Sequence, residues 1–215
     1  MIAWPSRWLC LAPEGLIFVL PLASVALVVA LLGWWLLAAA GCLLTICVAY
    51  FFRDPARHIP PIPGAIVAPA DGRVMEIVPE DARTYRLSIF LSVLDVHVNR
   101  APYGGTVGSV SYTPGRFLAA YRREASVVNE ANSITIENQG QTFVVKQIAG
   151  VLARRIVCRV QPGDILEKGQ RYGLIRFGSR TDVMLPQETE VVVRVGDIVR
   201  GGESVLAFLK EPQSV

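Results

Sequence analysis

Two histidines and four cysteines are all that this chain of 215 residues offers to a metal centre or a redox pair. Cys10, Cys42 and Cys47 stand in or beside an apolar stretch, Cys158 stands alone, and no two are spaced as metal ligands or as a redox motif. His58 and His97 are too few for a histidine-rich centre, so no metal is assigned. A large net charge is missing as well. Arg7 and Glu14 are the only charges before residue 53, so residues 53–215 carry the whole formal excess of +3. That mild excess helps a soluble domain rest on an anionic membrane surface and is too weak and dispersed to argue for nucleic acid.

The sharpest absence is local: from Gly15 to Phe52 there is not one charged side chain. A single helix of that length would reach roughly 57 Å at about 1.5 Å per residue, nearly twice a hydrocarbon core of ~30 Å. Two shorter spans fit better. Their turn is expected near Gly33-Trp34-Trp35, where glycine permits the bend and indole rings favour the interface. Arg7 precedes the segment and Arg53 and Arg57 follow it, so a hairpin with both ends cytoplasmic obeys the positive-inside tendency; a single tilted span or an interfacial hairpin is the alternative. The apolar run is far longer than a signal-peptide core and lacks a small-residue cleavage site. Residues 1–52 therefore read as a membrane segment, and 53–63, with Pro55, Pro60, Pro61 and Pro63, as a stiff extended linker.

Residues 64–215 read as a β domain. Short runs rich in Val, Ile and Thr, bounded by Gly, Pro, Asn or Asp, fall at 65–68, 73–78, 84–91, 106–112, 133–137, 142–148, 155–160, 172–177, 189–195 and 204–209. Pro114–Glu124 is the one plausible helix or ordered loop; its Arg116, Arg122 and Arg123 beside Phe117, Leu118 and Tyr121 suit either lipid contact or a solvated helix with an apolar face. An internal repeat is visible at an offset of 33 residues. Val160–Gly169 aligns with Val193–Gly202, each a strand end, a Gly-Asp turn, a short apolar strand and a second glycine turn. The form resembles the hammerhead strands of lipoyl- and biotinyl-type barrel-sandwich domains, and the expected fold class is mainly β, barrel-sandwich-like, behind an N-terminal hydrophobic helical hairpin. These glycines and aspartates read as turn formers.

One dipeptide, Gly178-Ser179, carries a chemical possibility beyond a turn. A serine hydroxyl pressed against the preceding carbonyl can shift the acyl group from nitrogen to oxygen. Elimination and hydrolysis then leave a pyruvoyl group at a new N-terminus, an electron sink for amino-acid chemistry. The glycine lets the backbone adopt a conformation that favours the attack.

Three further stretches combine with it: Ala68-Pro69-Ala70-Asp71-Gly72-Arg73-Val74, Phe90–Pro102 with Asp95-Val96-His97-Val98-Asn99-Arg100, and Tyr112-Thr113-Pro114-Gly115-Arg116-Phe117. In this order, followed by Phe177-Gly178-Ser179, they resemble the short bacterial type of phosphatidylserine decarboxylase over essentially the whole chain. The resemblance implies a proenzyme cut between Gly178 and Ser179 into a β chain 1–178 and an α chain 179–215 that stay together as a heterodimer, with a higher oligomer open. Ser179 would become the covalent pyruvoyl cofactor. The substrate implied is phosphatidylserine in a membrane, its amine forming a Schiff base with the pyruvoyl ketone, and the product is phosphatidylethanolamine. The location implied is the bacterial inner membrane, with the catalytic domain on the cytoplasmic side.

By the same resemblance His97 matches the first histidine of the family's paired-histidine motif and is the candidate proton donor or orienting group. Asp71 matches an aspartate of the triad that activates the cleavage serine, and Asp95 is a weaker candidate of that sort. Two departures stand out. Arg100 occupies the place of the second histidine and, always protonated, cannot be the base, although it suits a substrate phosphate or carboxylate. Arg180 follows the serine where the longer enzymes usually have threonine. Two rival readings remain at this point. One is a membrane-anchored barrel-sandwich binding or adaptor module without enzymatic activity, although neither repeat turn has a lysine-centred tip. The other is the same chemistry on a different seryl phospholipid.

Overall fold

The structure is a computed structural model that describes residues 10–81, 84–151, 155–176 and 178–209. Arg7, Phe177 and the last six residues, which the sequence places in the membrane segment, the cleavage motif and the C-terminal end, lie outside them. The described residues fall into two compact units on either side of the Ala56–Arg57 junction.

The first unit is a pair of apolar helices, α1 (Pro13–Leu31) and α2 (Trp35–Phe51). Pro13 opens α1 with its φ already helical, and Glu14 lies in the first turn, where the positive end of the helix dipole favours an acid. The chain reverses at Gly33, whose φ of +82° only glycine adopts easily. Small residues set the packing: Ala26 and Ala38 are buried, and a Cβ on Gly41 would lie 3.1 Å from that of Ala26. The base of the pair is tied by Ala12 N–H to the Phe52 carbonyl (2.7 Å) and Asp54 N–H to that of Cys10 (2.8 Å). Outward faces carry exposed Leu27, Leu36, Leu43 and Ile46. Pro13–Leu31 is long and apolar enough to cross a membrane; Trp35–Phe51 is a shorter apolar helix.

The second unit is mainly β. Its strands are β1 (Ala65–Val67), β2 (Gly72–Pro79), β3 (Thr84–Leu91), β4 (Val98–Arg100), β5 (Gly105–Thr113), β6 (Ala131–Asn138) and β7 (Gln141–Ile148). They continue with β8 (Ile156–Cys158), β9 (Ile165–Leu166), β10 (Arg171–Ile175), β11 (Ser179–Pro186), β12 (Thr189–Val191), β13 (Ile198–Val199) and β14 (Val205–Leu209). A curled half-barrel of eight antiparallel strands runs in the order β13-β2-β3-β11-β7-β6-β5-β9, with three-stranded sheets β1-β14-β12 and β4-β10-β8 beside it. The core is Ile66, Leu87, Ile89, Leu91, Ile134, Ile136, Phe143, Val183 and Leu185, all fully buried. Side chains alternate faces along a strand, so Val183 and Leu185 put the odd-numbered face of β11 toward this core.

The internal repeat builds the two ends of the large sheet. Asp164 accepts the Gln161 N–H at 2.7 Å, and Asp197 accepts the Arg194 N–H at 2.8 Å. Gly163 and Gly196, at φ +93° and +102°, then donate to the Val107 and Val74 carbonyls. The short strands that follow, β9 and β13, are the two edges. These residues are turn formers, as their sequence pattern predicts.

Of the two forms expected for Pro114–Glu124, helix or ordered loop, the chain takes the loop, which leads into a one-turn helix α3 (Ala125–Val128), because Gly115 packs against the Asn129–Glu130 backbone and the Asn129 amide satisfies both Leu118 N–H and C=O. The strand β11, which begins on Ser179, was not legible from apolar alternation, since buried Arg180 and Asp182 interrupt it.

Candidate active site

The site is organised by the start of β11. Ser179 is its first residue and pairs with Leu91, the last of β3. Gly178 precedes it at φ +60°, a left-handed conformation disfavoured for residues with a Cβ. Ser179 is fully buried, and among the described residues its Oγ has no hydrogen-bond partner. A buried hydroxyl left unpaired costs about 1–3 kcal/mol, so the fold holds this oxygen at a price in stability. On the far side, Gly150 packs so closely on the Gly178 carbonyl oxygen that a Cβ there would overlap it.

His97 is fully buried beside this turn. Its Nδ1 lies 2.9 Å from the Asp95 carbonyl, which can only accept, so Nδ1 carries the proton and Nε2 presents a lone pair. That lone pair accepts the Gly178 N–H at 3.2 Å. The Asp95 carboxylate caps its own turn by accepting the Ser92 N–H at 2.7 Å, while Asp95 N–H returns to the Ser92 carbonyl. Asp95 thus fixes the histidine tautomer through its backbone.

The structure brings His97, Gly178 and Ser179 together. It places Asp71 at the start of β2, bound by both carboxylate oxygens to Arg57 (2.8 and 2.7 Å) and by Oδ1 to Gly201 N–H (2.7 Å). Two residues on, Arg73 lies in the same sheet row as Phe90 and Arg180, which puts it two strand spacings or about 10 Å from the residue that follows the serine. Arg57 also reaches Glu203 at 3.4 Å, and the Glu203 carboxyl is held below its ordinary value chiefly by the His58 N–H, with the Arg57 charge adding to it against an opposing effect of burial. Arg100 is buried on β4; its described hydrogen bond goes to the Gly169 carbonyl at 3.1 Å, and alternation turns it away from the face of Asn99.

Two buried polar networks flank the serine and were not singled out from sequence. On its own face of β11, Thr181 accepts from Asn99 (3.2 Å), which accepts from Gln147 (2.8 Å), which in turn accepts from Asn132 (3.2 Å). On the opposite face Arg180, 1% exposed, donates to Asp182 (2.6 Å) and to Ser88 (2.7 Å), with Glu76 at 3.5 Å. Asp182 also accepts from Ser126 at 3.0 Å. The signal available for this second network is the opposite charges two apart in Ser179-Arg180-Thr181-Asp182. Burial raises the Cys158 thiol, keeping it protonated and a poor nucleophile at neutral pH. Among the described residues no group of His, Cys, Asp or Glu is placed to hold a metal ion.

A sequence model described as phosphatidylserine decarboxylase matches residues 44–207. The phosphatidylserine decarboxylase proenzyme of Solibacter usitatus is 48% identical over 193 residues, covering 90% of this chain and 94% of its own. The proteins of the same name from Cereibacter sphaeroides and Nitrosomonas europaea are 46% and 43% identical, over 94% and 92% of this chain and 90% and 94% of their own. These matches define the class: the protein is an enzyme, a decarboxylase, and the adaptor reading falls away. The chain belongs to the phosphatidylserine decarboxylase family.

Proposed function

We propose that the chain is a proenzyme that cuts itself between Gly178 and Ser179, and that the cut form converts phosphatidylserine to phosphatidylethanolamine and carbon dioxide. The observation that carries this reading is the buried Ser179 Oγ, without a hydrogen-bond partner among the described residues, next to a left-handed Gly178 whose N–H is held by His97 Nε2. The names of the relatives, all proenzymes, support it from outside.

Cutting follows from groups within this chain. When His97 Nε2 exchanges the Gly178 N–H for the neighbouring hydroxyl, it accepts the Ser179 proton as Oγ bonds to the Gly178 carbonyl carbon. The tetrahedral carbon collapses with loss of the Ser179 nitrogen, which takes the proton, leaving an ester. Loss of the Ser179 Cα proton expels the Gly178 carboxylate and gives a dehydroalanine at the new N-terminus. Water adds, ammonia leaves, and a pyruvoyl group remains. The residues fit this group: Ser179 supplies its carbons, and β3 and β7 fix the strand that bears it. When present, the group supplies the electron sink into which the bond to the departing carboxylate discharges. His97, the titratable side chain beside Gly178, returns a proton to the substrate α-carbon. Asp71 acts through Arg57 and Gly201 to hold the start of β2. The apolar helix pair keeps the enzyme on the membrane that contains its substrate.

Intact mass under denaturing conditions tests the reading. The wild-type chain is expected as two pieces divided at Gly178-Ser179, the smaller blocked at its N-terminus with the mass of a pyruvoyl group. Ser179→Ala is expected as one uncut chain without decarboxylase activity. Efficient turnover by that variant would sink the proposal.

A further inference from the structure

Two loops that touch the Gly178–Ser179 turn, and a third that packs beside one of them, end in apolar side chains turned to solvent. Val93 and Leu94, 47% and 71% exposed, sit in the Ser92–Asp95 turn that fixes His97. Val151, 54% exposed, follows Gly150, which packs on the Gly178 carbonyl oxygen. Tyr121 is 62% exposed and follows Ala120, whose Cβ lies 3.3 Å from where a Cβ on Gly150 would be. The Tyr121 ring stands edge-on to Phe90 at 6.3 Å, and Phe90 pairs with Arg180. The three loops therefore share one rim around the scissile bond. Isolated apolar residues on a surface need no explanation, but four on the tips of loops that converge on a reactive group do. The same rim carries Arg122, exposed, and Arg123, whose side chain is 87% exposed and reaches Glu76 at 3.4 Å.

We infer that this rim is the surface by which the β domain rests on an anionic phospholipid bilayer. Val93, Leu94, Tyr121 and Val151 enter the headgroup boundary, and Arg122 and Arg123 pair with lipid phosphates. The occupant follows from charge and shape: apolar tips flanked by outward arginines match an anionic interface, and they encircle the point where a lipid headgroup must react. A headgroup then reaches Ser179 without leaving the bilayer. The inference rests on the reading of Ser179 as the reacting position, and the experiment separates the two.

The full chain would be reconstituted in nanodiscs of phosphatidylcholine alone and of phosphatidylcholine with phosphatidylglycerol, and amide hydrogen exchange followed in each. Exchange over residues 92–95, 118–123 and 149–151 is expected to slow in the anionic discs, with the Gln139–Gly140 turn unchanged as the internal reference. In parallel, the variant Tyr121→Ser is expected to lose about tenfold in turnover of long-chain phosphatidylserine in vesicles, the scale of one buried apolar side chain. Turnover of a short-chain phosphatidylserine dispersed as monomers should stay at the wild-type level. Unchanged exchange, as a rim built for a protein partner would give, overturns the inference, and so does equal loss on both substrates. Slower exchange in a wild-type protein that stays uncut and decarboxylates neither substrate would leave the surface standing and remove the Ser179 reading.

Discussion

His97 has two constraints that together define its chemistry: a carbonyl on Nδ1 and an amide N–H on Nε2. The first makes Nε2 the basic nitrogen, and the second places it one residue from the hydroxyl it would deprotonate. His97→Ala removes that base, and general-base losses run to about 10²–10⁴-fold, so cutting followed by intact mass over time should slow on that scale. Gly150 gives an independent probe, because it contributes no functional group. Gly150→Ala places a methyl against the Gly178 carbonyl oxygen, so cutting should stall while the far-ultraviolet circular dichroism stays that of the wild type. A Gly150→Ala chain that cuts at the wild-type rate would show that the carbonyl moves freely before attack. At this scale the sequence was informative about His97, Gly178 and Ser179 because their motifs are contiguous. It was silent on Gly150, whose role arises only when β7 lies beside β11.

The strand β11 explains both what the sequence revealed about elements and what it hid. Strands with clean alternation, such as β3, β6 and β7, were legible within a residue or two, since one face of each meets the core. Ser179–Pro186 was not, because Arg180 and Asp182 look like surface residues, and a buried ion pair becomes visible only with its partners Ser88, Glu76 and Ser126 in place. The short strand β4 was missed for its length, three residues inside a motif read for chemistry. The loop 114–124 is irregular because backbone groups that a helix would satisfy internally go to the Asn129 side chain. The buried pair also makes a prediction for the strand that carries the serine. Arg180→Met leaves Asp182 as a buried carboxylate without its cation, a change of about 3–5 kcal/mol. For a domain of this size that lowers the melting temperature by about 10 °C, measurable by calorimetry. Arg180→Lys, with a point charge in place of a planar fork, should fall between the two.

At the scale of the whole molecule, the division between apolar helices and β domain was legible because hydropathy alone separates them, and the repeat foretold two like turns. It did not foretell that these turns close opposite edges of one sheet, since that depends on pairing between residues far apart in sequence. The same pairing decides what a cut at Gly178-Ser179 would do. Residues 179–209 supply β11 between β3 and β7, β13 beside β2, and β14 between β1 and β12. They also bury Val183, Leu185, Val199 and Leu206 in the shared core, which contributes on the order of 8 kcal/mol. That is comparable to the entire stability of a typical domain, so the smaller piece has no route out of the sheet short of global unfolding. The cut protein should therefore elute from size exclusion as the uncut Ser179→Ala variant does and melt in one cooperative transition. The two chains should separate only in denaturant. Loss of the small chain under native conditions would mean that β11 is held by fewer of its neighbours than the register from Ser179–Leu91 to Pro186–Thr84 implies.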